Sequence, residues 1–222
     1  MDTVLLECVI INNFKDMENL IFDQDKKYTF ADYMAMEEHS EERHDFYFGE
    51  LYAMAGATAV HHQICQNINA PLVNRFKPDG CFVSLEGVRL ELVEEDFYLY
   101  PDLFLTCDEE DKKNNLFKKF PSIIFEVLSD STALYDKEVK LKYYQRIESL
   151  QYYVLVAQKE IRVEVYSRID DDTRAEDTHI WKYQAFENIN KIIEFDRLGF
   201  SLPVATIYDS IEFELAKGSV KL

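Results

Sequence analysis

The stretch SIIFEVLS, residues 122–129, places one carboxylate in the middle of a strand that otherwise reads as buried. Five apolar residues surround Glu126, and Pro121 precedes the run, which is typical of a central strand covered on both faces. An ionised carboxylate in that setting costs several kcal/mol unless it has a partner. Glu126 therefore predicts a cation, a network of hydrogen-bond donors or a metal at this strand.

A second apolar strand, FYLYPDLFLTC at residues 97–107, carries a similar lone acid at Asp102. Two such acids on neighbouring strands suggest a shared cation. Mg²⁺ prefers oxygen ligands, and Asp102, Glu126 and the backbone carbonyl of Val127 would supply three of them. A structural ion pair of Glu126 with Lys140 or Arg89 is the main alternative.

A helix predicted over residues 132–146 supplies the nearest lysine. Asp136 and Lys140 are four residues apart, a spacing that also fits an ordinary surface ion pair worth about 0.2–0.5 kcal/mol. Positions 136, 140, 143 and 144 share one helix face, whereas Lys137 and Lys142 point away from it. Lys140 is therefore the best candidate to reach the acids and to orient an attacking water.

The rest of the chain alternates helical and strand patterns. A helix at 28–38 begins with a capping box of Thr29 and Asp32, and Thr58 caps a second helix at 59–76. The remaining elements are a hairpin at 41–56, a long strand at 81–95 that pairs with 97–107, and strands at 152–157, 162–168, 179–186 and 191–195. This order predicts an α/β fold in which helices flank a mixed sheet.

Composition narrows the function classes. The 222 residues show no linker or repeat, so one domain is expected over 1–222, with 1–28 as an N-terminal extension. A net charge of −18 argues against a large basic footprint for nucleic acid. No run approaches a membrane span, and no signal peptide is recognisable. The four scattered cysteines predict reduced core thiols and a cytoplasmic location.

Two further residues are ambiguous on chemistry alone. His61 lies beside the apolar stripe of the second helix, where a lone histidine is usually a hydrogen-bonded boundary residue rather than a ligand or a proton carrier. Glu50 follows Gly49 in the predicted hairpin, where a solvated position is the simpler interpretation.

Several segments in a fixed order resemble one known family. They are RHDFYFGELYAMAG (43–56), His61, YPDLFLTCD (100–108), FEVLSDST (125–132), YDKEVKLKYY (135–144), YYVLV (152–156) and RVEVYSR (162–168). The combination resembles the Uma-two family of predicted endonucleases, within the restriction-endonuclease-like PD-(D/E)XK superfamily. The resemblance covers residues 29–208.

The resemblance implies a restriction-endonuclease-like mixed sheet flanked by helices, with extra antiparallel strands in the C-terminal part. Asp102 and Glu126 match the two motif acids and would bind Mg²⁺, or Mn²⁺ in its place. Glu50 matches an acid near the metal, and His61 matches a recurrent histidine. Leu128 stands where the superfamily usually has lysine, and Lys140 matches the family's helix lysine.

The leading hypothesis is therefore a Mg²⁺-dependent endodeoxyribonuclease that hydrolyses DNA phosphodiesters with a metal-activated water. A homodimer is expected because one acidic domain offers little surface for gripping a duplex. The alternative is a nuclease-fold protein with little or no turnover that acts as a binding or assembly module. A basic rim around the acids would favour the nuclease; its candidate residues are Arg75, Lys77, Lys112, Lys113, Lys118 and Lys119.

Overall fold

The computed structural model describes residues 27–54, 56–130, 132–169 and 180–213. The helices are α1 (Phe30–His39), α2 (Ala59–Phe76), α3 (Glu109–Lys113), α4 (Leu141–Tyr144) and α5 (Val204–Ile207). The first strands are β1 (His44–Tyr47), β2 (Glu50–Ala53), β3 (Phe82–Leu85), β4 (Arg89–Val93), β5 (Phe97–Leu99), β6 (Leu103–Thr106) and β7 (Phe117–Lys118). The others are β8 (Ile123–Leu128), β9 (Tyr152–Ala157), β10 (Val163–Ile169), β11 (Ile180–Phe186), β12 (Ile192–Phe195) and β13 (Phe200–Pro203).

A six-stranded mixed sheet in the order β11-β10-β9-β8-β6-β3 forms the centre of the fold. Only β8 and β9 among its neighbouring strands pair in parallel; β6 runs antiparallel to β8. The two central strands are buried along almost their whole length, because α2 covers one face and a second layer covers the other. The predicted α/β class and the buried strand around Glu126 are confirmed.

The long strand predicted over 81–95 is wrong in one respect, because it is two strands in two sheets. β3 pairs with β6 in the main sheet, whereas β4 pairs with β5 in a second sheet of order β2-β1-β5-β4-β7. The chain passes between the sheets at Glu86–Gly87 and again at Tyr100–Asp102, where positive φ angles at Glu86 and Gly87 allow the turn. Asp102 thus lies where the two sheets diverge.

The second sheet carries the N-terminal part of the described chain. Its β1–β2 hairpin is confirmed, and α1 packs against it through Tyr33 on Phe46 and Tyr98. Thr29 caps α1 together with Asp32, as predicted from their spacing. The predicted extension at 1–28 lies outside the described residues except for Lys27 and Tyr28.

Helix α2 covers one face of the main sheet. Ile64, Ile68 and Leu72 form a stripe with no exposed surface, as expected for residues four apart on a helix. Burying each such side chain contributes about 1.5–3 kcal/mol. Thr58 caps the helix through the backbone N–H of His61, so the first turn is anchored where His61 faces the end of β6.

The helix predicted at 132–146 is present but begins irregularly. Residues Tyr135–Lys140 form a π-helical turn in which the N–H of Leu141 donates to the carbonyl of Asp136, and α4 follows directly. Such i→i+5 turns are rare in proteins overall, and those that occur are often found at functional sites. This turn places the side chains of Asp136 and Lys140 over β8.

The expectation of four reduced thiols is wrong for two of them. Cys81 and Cys107 form a disulfide across the edge of the main sheet. They meet because Phe82 pairs with Thr106, which makes the two cysteines opposite neighbours at the ends of β3 and β6. Cys65 is a free, buried thiol, and Cys8 lies outside the described residues. None of the described helices combines the length with the hydropathy that spanning a bilayer requires.

Candidate active site

Glu126 lies at the centre of β8 with its side chain 2% exposed. Its Oε1 accepts hydrogen bonds from Lys140 Nζ at 3.0 Å and from the Tyr144 hydroxyl at 3.2 Å. Its Oε2 accepts a longer bond, 3.4 Å, from the backbone N–H of Asp102. Burial raises the pKa of Glu126 well above its usual value, although Lys140 opposes that shift. The acid that the apolar run singled out is therefore fully engaged.

Asp102 lies beside Glu126, just before the first residue of β6. Its Oδ2 accepts a 2.7 Å hydrogen bond from the backbone N–H of Val127, and its Oδ1 lies 3.3 Å from His61 Nε2. Asp102 and Glu126 thus each accept a bond from the other's strand. Since β6 and β8 are hydrogen-bonded neighbours, the two carboxylates are held at one end of the strand pair.

Lys140 brings positive charge to the acids from the π-helical turn. Its Nζ lies 3.0 Å from Glu126 Oε1 and 3.1 Å from Asp136 Oδ1, and the lysine side chain is only 8% exposed. Burial alone would lower the pKa of Lys140, but Asp136, Glu126 and Asp45 together raise it. The pair with Asp136 is therefore buried rather than the solvated surface pair that its spacing alone allowed.

His61 joins the group from the first turn of α2. Its Nε2 faces Asp102 and, at 3.8 Å, an oxygen of Glu86. Burial lowers the pKa of His61, but the hydrogen bond and charge of Asp102, with help from Glu86, more than offset that effect and raise it. One turn further along the helix is the Cys65 thiol, and ligand atoms of His61, Cys65 and Asp102 all lie within 4.8 Å of one another.

Asp45 is a member of this group that the sequence did not reveal. It is buried on β1, and its Oδ1 accepts a 2.8 Å hydrogen bond from the backbone N–H of Tyr100, two residues before Asp102. Burial raises the pKa of Asp45 to about 6, although the charge of Lys140 lowers it. The strand that carries Asp45 was predicted as part of the hairpin, but its pairing with β5, which brings Asp45 to Tyr100, depends on a distant segment.

Glu50 lies apart from the other predicted residues. It pairs with Lys27, accepts a 2.6 Å hydrogen bond from the Tyr52 hydroxyl and is 40% exposed. These contacts, with that of Lys27 first, lower its pKa. The ring of Tyr52 stacks on that of Tyr135, and the Tyr135 ring in turn contacts the ammonium of Lys140. The structure therefore does not bring Glu50 into the Asp102–Glu126 group.

The structure also shows where the alternative lysine and the alternative ion-pair partner of Glu126 lie. Lys137 turns to Glu164 at 3.0 Å, and Leu128 carries no charge at the end of β8. Arg89, the other cation considered for Glu126, donates to the carbonyl of Leu116 instead. Of the lysines considered, Lys140 is the one that bonds to Glu126.

The predicted basic rim does not surround these acids. Arg75 pairs with Asp79, Lys112 with Glu109 and Lys119 with Glu91, and Lys118 is buried on backbone carbonyls. Lys77 lies in the turn that leads from α2 to Cys81, whose disulfide to Cys107 is at the end of β6 away from Asp102. Residues 107–121 lie at the opposite end of β6 and β8, because Leu105 pairs with Ile123 while Leu103 pairs with Phe125. A pocket of about 380 Å³ opens at the ends of β8 and β9. The cations in its wall, Lys137, Lys159 and Arg162, are paired with Glu164 and Asp130.

Comparisons with known proteins identify the family and the fold of this chain. A family profile, Uma2, described as "Putative restriction endonuclease", matches residues 30–205. The chain belongs to this family. Among similar proteins, the uncharacterized protein slr1290 of Synechocystis sp. is 30% identical over 182 residues, which is 82% of this chain and 92% of that protein. The uncharacterized protein sll1609 of the same organism is 34% identical over 145 residues, 64% of this chain and 82% of that protein.

A solved structure shows the same fold. The crystal structure described as that of a putative nuclease belonging to DUF820 from Anabaena variabilis aligns with a TM-score of 0.62 over 82% of this chain and 97% of that one. The sequences are 15% identical in that alignment, so the likeness concerns the fold. The restriction-endonuclease-like architecture expected for a Uma2 protein is thereby confirmed.

The donor set of this Uma2 site fits a hard divalent cation. Asp45, Glu126 and Asp136 interact with a single ammonium among the described residues, that of Lys140, and Asp102 lies next to Glu126. Asp136 Oδ1 is buried, and its partner in the described part of the chain is the Lys140 ammonium at 3.1 Å. Carboxylate oxygens in excess over cations are the ligands that Mg²⁺ and Mn²⁺ take.

Proposed function

We propose that this Uma2 protein is a metal-dependent endonuclease that hydrolyses phosphodiester bonds of DNA. The observation that carries the proposal is a group of four carboxylates around one buried ammonium: Asp45, Glu126 and Asp136 interact with Lys140, and Asp102 lies beside Glu126 on the adjacent strand segment. Asp102, Glu126 and the carbonyl oxygen of Val127 would hold Mg²⁺, and Mn²⁺ could replace it. A cation bound there would lower the pKa of a water molecule and offset charge on the phosphate.

Hydrogen bonds within the chain hold the side chains that this chemistry would use. The backbone N–H of Val127 and the ring of His61 orient the two oxygens of Asp102. Tyr144 and Lys140 fix Glu126. The ammonium of Lys140 would hold an attacking water by hydrogen bonding and would stabilise negative charge as the phosphate reacts. Glu50 is not assigned a step because its partners are Lys27 and Tyr52.

The acidic surface shapes how DNA would be captured. The net charge is −18, and the cations of the predicted basic rim are paired or lie at the far end of the strands. Attraction of a polyanion would therefore depend on the bound cation. We retain the homodimer as part of the proposal because a second copy of the chain would enlarge the surface that grips a duplex. The cytoplasmic location also stays a prediction, and the Cys81–Cys107 disulfide removes the cysteine pattern as its support.

One observation favours a second candidate, a nuclease fold without turnover that acts as a binding or assembly module. Both oxygens of Glu126 already have donors, and Lys140 satisfies the charge of the carboxylate without any metal. Buried ion pairs of this kind also occur as purely structural features. Binding of Mn²⁺ separates the two candidates, because only the nuclease needs it.

The decisive experiment is calorimetric titration with Mg²⁺ and Mn²⁺, followed by incubation with plasmid and single-stranded DNA. The variants are Glu126→Gln and Asp102→Asn, and Glu164→Gln is the matched control. Glu164 is also a buried acid on the main sheet, two strands from Glu126, but it pairs with Lys137 and Arg162. We expect wild type and the control to bind metal and cleave, and both site variants to lose binding and cleavage. Equal behaviour of all four proteins contradicts the proposal.

A further inference from the structure

The imidazole of His61 lies between two polar side chains. Its Nε2 faces Asp102 Oδ1 at 3.3 Å, and its Nδ1 faces the amide nitrogen of Gln158 at 3.5 Å. Gln158 is the residue directly after β9, in the turn that leads to β10. It therefore reaches the site from an element that supplies none of the predicted catalytic residues.

The orientation of the Gln158 amide follows from its other two partners. Its Nε2 donates to the backbone carbonyl of Leu128 at 3.0 Å, and its Oε1 accepts from the Thr58 hydroxyl at 2.8 Å. Rotating the amide by half a turn would place its oxygen against the Leu128 carbonyl oxygen, and two acceptors do not bond. The nitrogen of Gln158 is therefore the atom that faces His61.

This orientation decides where the neutral imidazole carries its proton. An amide N–H donates, so Nδ1 of His61 must accept, and the ring proton must then be on Nε2. From Nε2 it is donated to Asp102 Oδ1, while Val127 N–H donates to Asp102 Oδ2. We propose that Gln158 is a positioning residue, which through His61 holds the Asp102 carboxylate in its metal-binding orientation. The tautomer of His61 follows from the contacts alone. Its effect on metal binding rests on the proposed function.

The same geometry argues against a competing use of His61. His61, Cys65 and Asp102 have ligand atoms within 4.8 Å of one another, a set that suits a softer metal such as Zn²⁺ or Co²⁺. Ligation through Nε2 would require the ring proton on Nδ1, where it would point at the Gln158 amide nitrogen. Burial also raises the pKa of the Cys65 thiol, whereas metals bind the thiolate. His61 is thus a donor to Asp102.

Nitrogen NMR of the histidine rings tests the assignment without any metal or substrate. The protein is ¹⁵N-labelled and measured at alkaline pH, where the imidazole is neutral, and the His61 signals are identified by their loss in His61→Asn. We expect the Nε2–H tautomer in wild type and in Gln63→Met, a matched control on the exposed face of the same helix. Gln158→Glu, which replaces the donor with an acceptor, should move the proton to Nδ1. An Nδ1–H tautomer in wild type overturns the inference.

Metal titrations give the functional consequence. We expect Gln158→Met to weaken Mn²⁺ binding on the order of 10-fold, as loss of an outer partner of a ligand does, and Gln63→Met to leave it unchanged. Unchanged affinity in Gln158→Met contradicts the positioning role. A cobalt–thiolate absorption band that disappears in Cys65→Ser would also overturn it. If wild type binds no Mn²⁺ at all while the Nε2–H tautomer is observed, the proposed function fails and the contact geometry stands.

Discussion

Replacing Lys140 with methionine removes the ammonium that neutralises two buried acids. The side chains of Lys140, Glu126 and Asp136 are 8%, 2% and 3% exposed, and the ammonium lies 3.0 and 3.1 Å from the two carboxylates. Methionine retains most of the volume, so the main effect is the uncompensated charge. Removing one partner of a buried pair costs about 3–5 kcal/mol, and we expect a loss of unfolding free energy of that size at neutral pH.

The pH dependence gives this prediction a second, independent signature. Without Lys140, the pKa of Glu126 in the native state must rise further. In the unfolded chain the pKa of Glu126 stays at about 4.3. The native state then binds more protons than the unfolded state between those two values, so its stability falls as pH rises through that window. Acidification should therefore restore part of the stability lost in Lys140→Met.

Urea unfolding followed by circular dichroism at mildly acidic and mildly alkaline pH measures both effects. Lys137→Met is the matched control, because Lys137 is 38% exposed and its partner Glu164 keeps Arg162; its loss should be within about 1 kcal/mol. The double variant Lys140→Met with Glu126→Gln should recover part of the stability, since Asp136 then still lies buried without its cation, and this keeps the test usable if the single variant is too unstable. Equal small losses in both single variants, without pH dependence, would refute a buried charge cluster at Lys140.

Three further results are expected. Asp45→Asn should flatten the decline in stability between about pH 4 and pH 6, because the pKa of Asp45 rises from 3.8 to about 6 on folding and wild type loses stability as that acid ionises; urea midpoints across this range decide it. Reduction of the Cys81–Cys107 disulfide, which closes a 26-residue separation, should lower the unfolding free energy by about 3.5 kcal/mol, and Cys81→Ser should show the same loss without reductant. Gly49→Ala should destabilise the β1–β2 hairpin by at least about 1 kcal/mol in thermal unfolding, because φ is +87° and the new Cβ would lie 3.2 Å from the Tyr28 carbonyl oxygen; an unchanged melting temperature contradicts it.

The features that the sequence predicted are those that depend on neighbours along the chain. Glu126 stands out because apolar residues flank it on both sides, and Lys140 because helical spacing selects a face. The cap at Thr58 and the α2 stripe depend on local spacing in the same way. Each of these patterns is contained within one element, so no knowledge of strand pairing was needed.

What the sequence could not predict depends on pairing between distant segments. Asp45 reaches the site only because β1 pairs with β5, which precedes Asp102. The disulfide depends on the register of β3 with β6, and the division of the predicted long strand depends on which sheet each half joins. The π-helical turn at Tyr135–Lys140 leaves no signal in helical periodicity.

The divergence of the two sheets at Asp102 has a consequence for how the protein can be tuned. Asp45 belongs to one sheet and Glu126 to the other, so the separation of their carboxylates depends on how the two sheets are oriented relative to each other. Phe97 and Phe104 are buried in the apolar layer that joins the sheets and lie outside the acidic group. Altering the volume of such a residue would shift one sheet relative to the other, and would thereby change the spacing of the acids without contacting them.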